Sequence, residues 1–333
     1  MRSRAIARTA VLVGCLAGSA AAPQAVQAQD CTPTTNIEAI VDDSRSMSDT
    51  DPRRLRVRAL QLFMDTPGNE SRTLGAIEFY EDWRPLFGPE QIGDRANRER
   101  LGAILESRIT GDDPSTDYNA AFDGAGAHNP SAGGRIFLTD GEHFEETEGP
   151  YQERHRGGPP TYVIGLASAE YLRPDSPDEQ RLQRIAAETG GRYWRASTDE
   201  ELQDALFELN AAISCEPTPV KQEVFFSRTG QVVQRALSIP RGTRSVKFAV
   251  SWGSEFDSFN IGTFRIRRRG RVVARSSRVR RIRVVKRRGE TYVTGKLTGL
   301  VPGRLTYRIK ANSVGFTGRP AAVTLQAIRS RAR

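Results

Sequence analysis

Asn36-Ile37-Glu38-Ala39-Ile40-Val41-Asp42-Asp43-Ser44-Arg45-Ser46-Met47 is the stretch from which the fold is read. Asn36 to Val41 is a short apolar run of strand length. Asp42, Ser44 and Ser46 then alternate along the loop that leaves it. Arg53 to Met64 follows with helical periodicity, placing Leu55, Ala59, Leu60 and Phe63 on one face. Strand, polar loop and amphipathic helix in that order open an α/β unit, and the pattern repeats outward. Thr73 to Tyr80 predicts a second strand, with Trp83 to Phe87 able to pair with it. Arg95 to Ser107 and Asp117 to Gly126 predict helices. Arg135 to Leu138 and Tyr162 to Ile164 are buried-type strands. Asp178 to Glu188 predicts a helix that stops at Thr189-Gly190-Gly191. Arg192 to Trp194 is a last short strand, and Asp199 to Ser214 a closing helix with Leu202, Leu206 and Leu209 on one side. The alternation predicts an α/β domain with a doubly wound, mostly parallel, Rossmann-like sheet.

In such a sheet, ligands bind beyond the carboxyl ends of the strands. One carboxylate and two hydroxyls in the first loop make a hard, all-oxygen environment suited to Mg²⁺, Mn²⁺ or Ca²⁺. Taken alone, Asp-x-Ser-x-Ser is equally a helix-capping or turn sequence. Two later stretches keep it company. Ser115-Thr116-Asp117-Tyr118-Asn119-Ala120-Ala121 opens a helix and presents Thr116. Ile136-Phe137-Leu138-Thr139-Asp140-Gly141-Glu142 is an apolar strand that ends on Asp140.

These three stretches, in this order and at these separations, resemble the metal-ion-dependent adhesion site of the von Willebrand factor A (vWA) family, over roughly residues 36–213. Leu182 to Tyr193 is similar to that family's final helix-to-strand passage. The resemblance implies that Asp42, Ser44, Ser46 and Thr116 surround a divalent cation, Mg²⁺ before Mn²⁺ or Ca²⁺, directly or through water, with Asp140 acting in either way. It also implies a coordination position open to an acidic group of a protein ligand, since Mg²⁺ commonly leaves positions to exchangeable water. Asp43 and Asp117 fall at non-ligand positions and are expected to face solvent or to hydrogen-bond the loop. His128, His143 and His155 have no metal-ligand spacing; His143 follows Asp140-Gly141-Glu142 and could lie near the site, but it reads rather as a surface histidine. Neither G-x-S-x-G nor His-Glu-x-x-His occurs. Asp42 and Asp140 could form a hydrolytic carboxylate pair, but the Ser/Thr set around them favours metal ligation, and no enzyme is expected.

The N-terminus has the form of a secretory signal over residues 1–28: Arg2, Arg4 and Arg8, an apolar stretch from Ala10 to Ala22, and a small-residue cleavage site at Val26-Gln27-Ala28. Leu12-Val13-Gly14-Cys15 also resembles a lipobox, so lipid anchoring through Cys15 is a minor alternative. The expected location is periplasmic or extracellular, with no later run apolar enough to span a bilayer. Cys31 and Cys215 then remain at the edges of one predicted domain, 31–215. An oxidising compartment would let them bridge, contributing about 4–5 kcal/mol in the chain-entropy model.

Composition shifts at Glu216-Pro217-Thr218-Pro219, which reads as a linker (216–220). Residues 216–333 carry 27 Lys/Arg against 5 Asp/Glu, whereas residues 1–215 carry 22 against 35, so the net charge of +9 conceals a dipolar chain. Short runs at Glu223–Phe226, Gln231–Leu237, Ser245–Ser251, Gly262–Arg267, Arg271–Ala274, Thr291–Leu297, Arg304–Ala311 and Ala322–Ile328, separated by Gly-containing turns, predict a smaller all-β sandwich over 221–333. It resembles the β-sandwich modules that follow A domains in exported bacterial proteins. The arginine-dense run from Arg265 to Arg288 has three readings: a solvated face, a surface docked on the acidic first domain, or a site for an anionic envelope polymer. Export argues against intracellular nucleic acid. Two functions follow: an exported, metal-dependent protein-binding protein, or an envelope scaffold whose sandwich holds polymer while the metal only steadies a loop.

Overall fold

The computed structural model describes residues 31–144, 151–168, 171–276, 282–315 and 321–331. The leader, Cys15 and the arginines at 278, 280 and 281 lie outside the described residues.

The apolar strands of the first half read as continuous runs because both faces of their sheet are covered. The sheet has six strands: β1 (Asn36–Asp42), β2 (Thr73–Phe79), β3 (Trp83–Gln91), β4 (Gly134–Thr139), β5 (Thr161–Leu166) and β6 (Tyr193–Ala196). Their order is β3-β2-β1-β4-β5-β6. All pairs are parallel except the β2–β3 hairpin at the edge. Helices α2 (Leu55–Asp65), α3 (Arg95–Arg108) and α6 (Asp199–Ile213) pack on one face, against Ile37, Ala39, Val41, Ile136 and Leu138. Helices α4 (Tyr118–His128) and α5 (Pro177–Glu188) pack on the other, against Ile40, Ile77 and Phe137. Asp94, Asp117, Ser176 and Thr198 cap α3, α4, α5 and α6 with their side chains, the arrangement N-terminal orphan N–H groups require. A short α1 (Ser46–Thr50) sits between the first loop and α2, an element too brief for periodicity to reveal.

The second half is a sandwich. One sheet has the order β11-β10-β14-β8 and the other β12-β13-β9-β15-β7. The strands are β7 (Val220–Phe226), β8 (Val232–Ile239), β9 (Thr243–Trp252), β10 (Ser258–Arg268), β11 (Arg271–Arg275), β12 (Arg283–Arg288), β13 (Tyr292–Thr298), β14 (Gly303–Ser313) and β15 (Ala321–Arg331). Phe226, Phe248, Trp252, Phe259 and Ile309 fill the space between the sheets.

The sandwich is not a free appendage, because Thr32–Arg333 form one compact unit. The outer face of the five-stranded sheet packs on α6, where Phe207 and Ala211 meet Ala249 and Ile328. Gln203 Nε2 donates to Thr291 Oγ1 at 3.0 Å across the same boundary. Glu216, first residue of the composition break, accepts from Lys247 Nζ at 2.9 Å. Cys31 and Cys215 are both disulfide-bonded. No helix among the described residues is long and apolar enough to cross a membrane.

Candidate metal centre

The strand order reverses between β1 and β4: β1 leads out to β2 on one side, while β4 begins the run to β5 and β6 on the other. This is the switch point at which a doubly wound sheet leaves a crevice. β1 ends on Asp42, and β4 is followed directly by Asp140. Val41 and Leu138 are register partners, so the two carboxylates emerge side by side. Both residues are fully buried, as is Thr116, while Ser44 and Ser46 are nearly so.

Asp42 Oδ1 accepts from the backbone N–H of Ser44 at 3.0 Å and from its hydroxyl at 2.6 Å. Ser44 Oγ in turn lies 3.1 Å from Ser46 Oγ. Asp42 Oδ2 accepts from Thr139 Oγ1 at 2.6 Å. Thr139 also receives the N–H of Gly141 at 3.1 Å and lies 3.0 Å from the Tyr118 hydroxyl. The chain turns at Gly141 with φ 94°, a conformation that favours glycine. Phe144 N–H then reaches the carbonyl of Thr116 at 3.2 Å, and Tyr118 N–H reaches His143 Nδ1 at 3.3 Å. The loop after β4 is thereby fastened to Thr116 and the start of α4.

Asp140 Oδ1 accepts from the N–H of Glu142 at 3.3 Å. Among the described residues its other oxygen, Oδ2, is buried with no partner within hydrogen-bond distance, as is the hydroxyl of Thr116, although the Ser46 and Thr50 hydroxyls are near enough to lower the Asp140 carboxyl. Orphaned buried acceptors are costly and rare. Burial, then the negative charge of Asp140, pushes the Asp42 carboxyl up to about 7, against hydrogen bonds from Ser44 and Thr139. Burial likewise raises Asp140. Arg56 eases Asp140 only weakly, through its charge, because its guanidinium is committed to Asp43 and Asp51 at 3.1 and 3.0 Å.

The donor set therefore fits an oxygen-ligated cation. It offers two carboxylates, three hydroxyls, two unmatched oxygens and no thiol or imidazole. Among the described residues no cluster of three or more His, Cys, Asp or Glu side chains is placed to hold a metal. The set here instead combines two carboxylates with hydroxyls.

Of the five sequence-predicted residues, Asp42, Ser44 and Ser46 are joined by hydrogen bonds, Asp140 follows the strand paired with β1, and Thr116 is tied through its carbonyl to the loop after Asp140. Beside them, one expectation is narrowed to one of its two alternatives and another needs correction. Asp43 does not face solvent: its residue is 2% exposed, and Oδ1 accepts from Arg56 Nη2 at 3.1 Å and Gly111 N–H at 2.7 Å. Hydrogen bonding to the loop is its role, and the salt bridge is what permits burial. His143 is not a surface histidine either; it is half-buried, 5.2 Å from the Tyr118 ring. Asp117 caps α4 by accepting from Asn119 N–H at 2.7 Å. Sequence reading missed Thr139, Arg56 and Asp51. Thr139 carried a signal, a hydroxyl on the last residue of a strand that ends at a ligand. Arg56 carried none, since an arginine on a helix normally reads as exposed.

No family model matches the chain, and no curated protein matches it. Solved structures with a similar fold include a von Willebrand factor type A protein from Catenulispora acidiphila, at 14% identity and TM-score 0.42, covering 90% of this chain and 63% of that one. The pilus adhesin SpaC from Lactobacillus rhamnosus GG, in its open conformation, is similar at 11% identity and TM-score 0.45, covering 92% of this chain and 44% of that one. An aerotolerance-related membrane protein from Bacteroides fragilis is similar at 21% identity and TM-score 0.40, covering 54% of this chain and 98% of that one. The chain therefore spans less than two thirds of the length of the first two.

Proposed function

We propose that this is an exported, non-enzymatic vWA-type binding protein that holds a divalent cation at Asp42, Ser44, Ser46, Thr116 and Asp140 and engages an acidic group of a protein ligand there. The observation that carries the reading is the pair of fully buried carboxylates at the switch point, with Asp140 Oδ2 and Thr116 Oγ1 unmatched beside them. A bound Mg²⁺ would supply a Lewis-acidic position that a carboxylate from outside can complete. The chain's own residues do the rest. Ser44 and Thr139 fix the rotamer of Asp42 through its two oxygens. Asp43 and Arg56 hold the loop from beneath. Gly141 and the Phe144–Thr116 bond set the distance between loop and helix.

Ser44 and Ser46 are read as ligands and not as nucleophiles. Their hydroxyls are bonded to Asp42 and to each other, and neither is hydrogen-bonded to a histidine.

The test uses the mature protein stripped with EDTA and titrated with Mg²⁺ or Mn²⁺, following the unfolding temperature. At one hundred times its dissociation constant a cation stabilises the folded state by about 2.7 kcal/mol. Thr116→Ala and Asp140→Asn should abolish most of that shift while leaving the far-UV circular dichroism unchanged. Absence of any shift with millimolar Mg²⁺, Mn²⁺ or Ca²⁺ would overturn the site. A cation-dependent shift that survives both substitutions would overturn the assignment of residues.

A further inference from the structure

The cations of the sandwich are unevenly used. Docking to the first domain goes through the five-stranded sheet and is matched pair by pair. Lys221 meets Asp204, and Arg287 meets Glu70 at 3.1 Å. Arg58 of α2 meets Glu290 at 3.1 Å and Glu255 at 3.4 Å. The five acidic residues of the C-terminal half are spent there or close by. Glu216 holds Lys247, Glu223 lies near Lys221, and Asp257 accepts from Gly315 N–H.

The four-stranded sheet has no such partners. None of β8, β10, β11 or β14 contains an Asp or Glu. Inward positions such as Leu237, Phe259, Ile261, Ile266, Leu305 and Ile309 fill the core. The alternate positions face outward, and Arg265, Arg267, Arg275, Arg304, Arg308 and Lys310 are all exposed there. Register places like charges directly opposite: Arg265 against Arg275, and Arg267 against Arg304. Facing like charges destabilise a sheet. Among the described residues none of these six cations makes an ion pair that would repay that cost.

We propose that this outer face binds an extended anionic glycan, a polysaccharide bearing sulfate, carboxylate or phosphate groups at short intervals. Planar guanidinium groups match such oxyanions bidentately. Between the cations the face carries Gln234, Ser238, Asn260 and Thr306, which can both donate to and accept from sugar hydroxyls. Among the described residues its four strands turn no aromatic ring outward for a nucleobase to stack on, the feature that single-stranded nucleic acid sites rely on; the exposed Phe256 lies in the turn before β10. The exposed apolar side chains among the described residues of these strands are Val232 and Val272, smaller than the Trp, Phe and Leu anchors that interfacial membrane binding uses.

The test is run in EDTA, so its outcome is independent of the proposed metal centre. Heparin is the probe, titrated against the mature protein by calorimetry or fluorescence anisotropy at rising NaCl. Applying the counterion-release slope to about six contacts, affinity should fall roughly 10²- to 10³-fold between 50 and 200 mM salt. Arg265→Ser/Arg304→Ser/Arg308→Ser should lose at least tenfold in affinity at 50 mM and lower the logarithmic salt slope by about 2. Its unfolding temperature should stay unchanged or rise, since two like-charge contacts are relieved. Arg228→Ser/Arg241→Ser/Arg244→Ser removes equal charge away from the face and should bind as the parent does. The proposal is overturned if heparin does not bind at 50 mM salt, or if both triple variants weaken equally. It is also overturned if phosphatidylglycerol vesicles or duplex DNA compete for the same three arginines at lower concentration than heparin.

Discussion

Arg56 supports the candidate metal centre from below, and its replacement by methionine isolates that support. Its side chain is 1% exposed, and it bridges Asp43 and Asp51, whose side chains are 3% and 2% exposed. Removing one partner of a buried ion pair typically costs about 3–5 kcal/mol, because the other charge stays buried. Here two carboxylates are abandoned, but neither is stripped bare. Asp43 keeps the N–H of Gly111 at 2.7 Å, and Asp51 keeps those of Leu55 and Arg56 at 2.6 and 3.0 Å. Methionine fills much of the volume, so little cavity cost is added. The lower end, about 3 kcal/mol, is therefore expected. At about 2–4 °C per kcal/mol for a chain of this size, that is a fall of roughly 6–12 °C in unfolding temperature. Urea denaturation followed by circular dichroism at neutral pH measures it. Asp43→Asn placed on Arg56→Met should recover at least about 1 kcal/mol, because it removes a buried charge left unpaired. In Arg56→Met alone, the Mg²⁺-dependent gain in stability should shrink, since Asp43 anchors the loop carrying Ser44 and Ser46. A loss below about 1 kcal/mol, or no recovery in the double variant, would refute the claim that a buried ion-pair network holds this loop.

Two further outcomes test other parts of the fold. The Glu188 carboxyl is held down to about 2 by its hydrogen bond to Arg156, then by that to His155. A depressed acid contributes stability above its unfolded value of 4.5 and loses it as pH falls toward 2; Glu188→Gln should therefore flatten the acid limb of unfolding temperature against pH, and a limb as steep as the parent's would contradict it. Gly191 follows the left-handed Gly190 (φ 73°) at the end of α5, and a Cβ there would stand 2.5 Å from the carbonyl carbon of Thr161 and nearer still to its oxygen; Gly191→Ala should cost about 3 kcal/mol, the upper end for overpacking against unyielding backbone, and a variant as stable as the parent by urea melt would refute that reading.

What the amino-acid sequence made legible followed from periodicity. The inner strands β1, β2, β4 and β5 of the first sheet were readable because a doubly covered sheet writes continuous apolar runs, and Thr189-Gly190-Gly191 marked a helix stop in plain form. The candidate ligand set was legible because Asp42 ends one apolar strand and Asp140 directly follows another. What stayed hidden was long-range. β12 reads Arg-Val-Val-Lys-Arg-Arg and was not anticipated, because an edge strand carries charge where an inner strand carries apolar residues. The burial of Asp43 depended on Arg56, thirteen residues on, and no local pattern announces an ion pair that only the packed fold creates. Helix α6 showed Leu202, Leu206 and Leu209 as its apolar face, yet Phe207 and Ala211 on another side are buried too. A helix that looks one-sided in sequence is here clasped between two domains.

That clasp decides among the readings of the basic half. If the charge split existed to dock the two halves, the acidic first domain would be expected to cover the densest arginines. Instead the boundary is apolar at Phe207, Ala211, Ala249 and Ile328, and its ion pairs run in both directions, with Arg58 giving to Glu255 and Glu290 while Asp204 and Glu70 receive from Lys221 and Arg287. An interface built this way needs no excess of positive charge. The excess on β10, β11 and β14 is therefore left over after folding, and it opposes folding wherever Arg265 faces Arg275 or Arg267 faces Arg304. A surface that costs stability and takes no part in the intramolecular contact is best accounted for by something outside the chain.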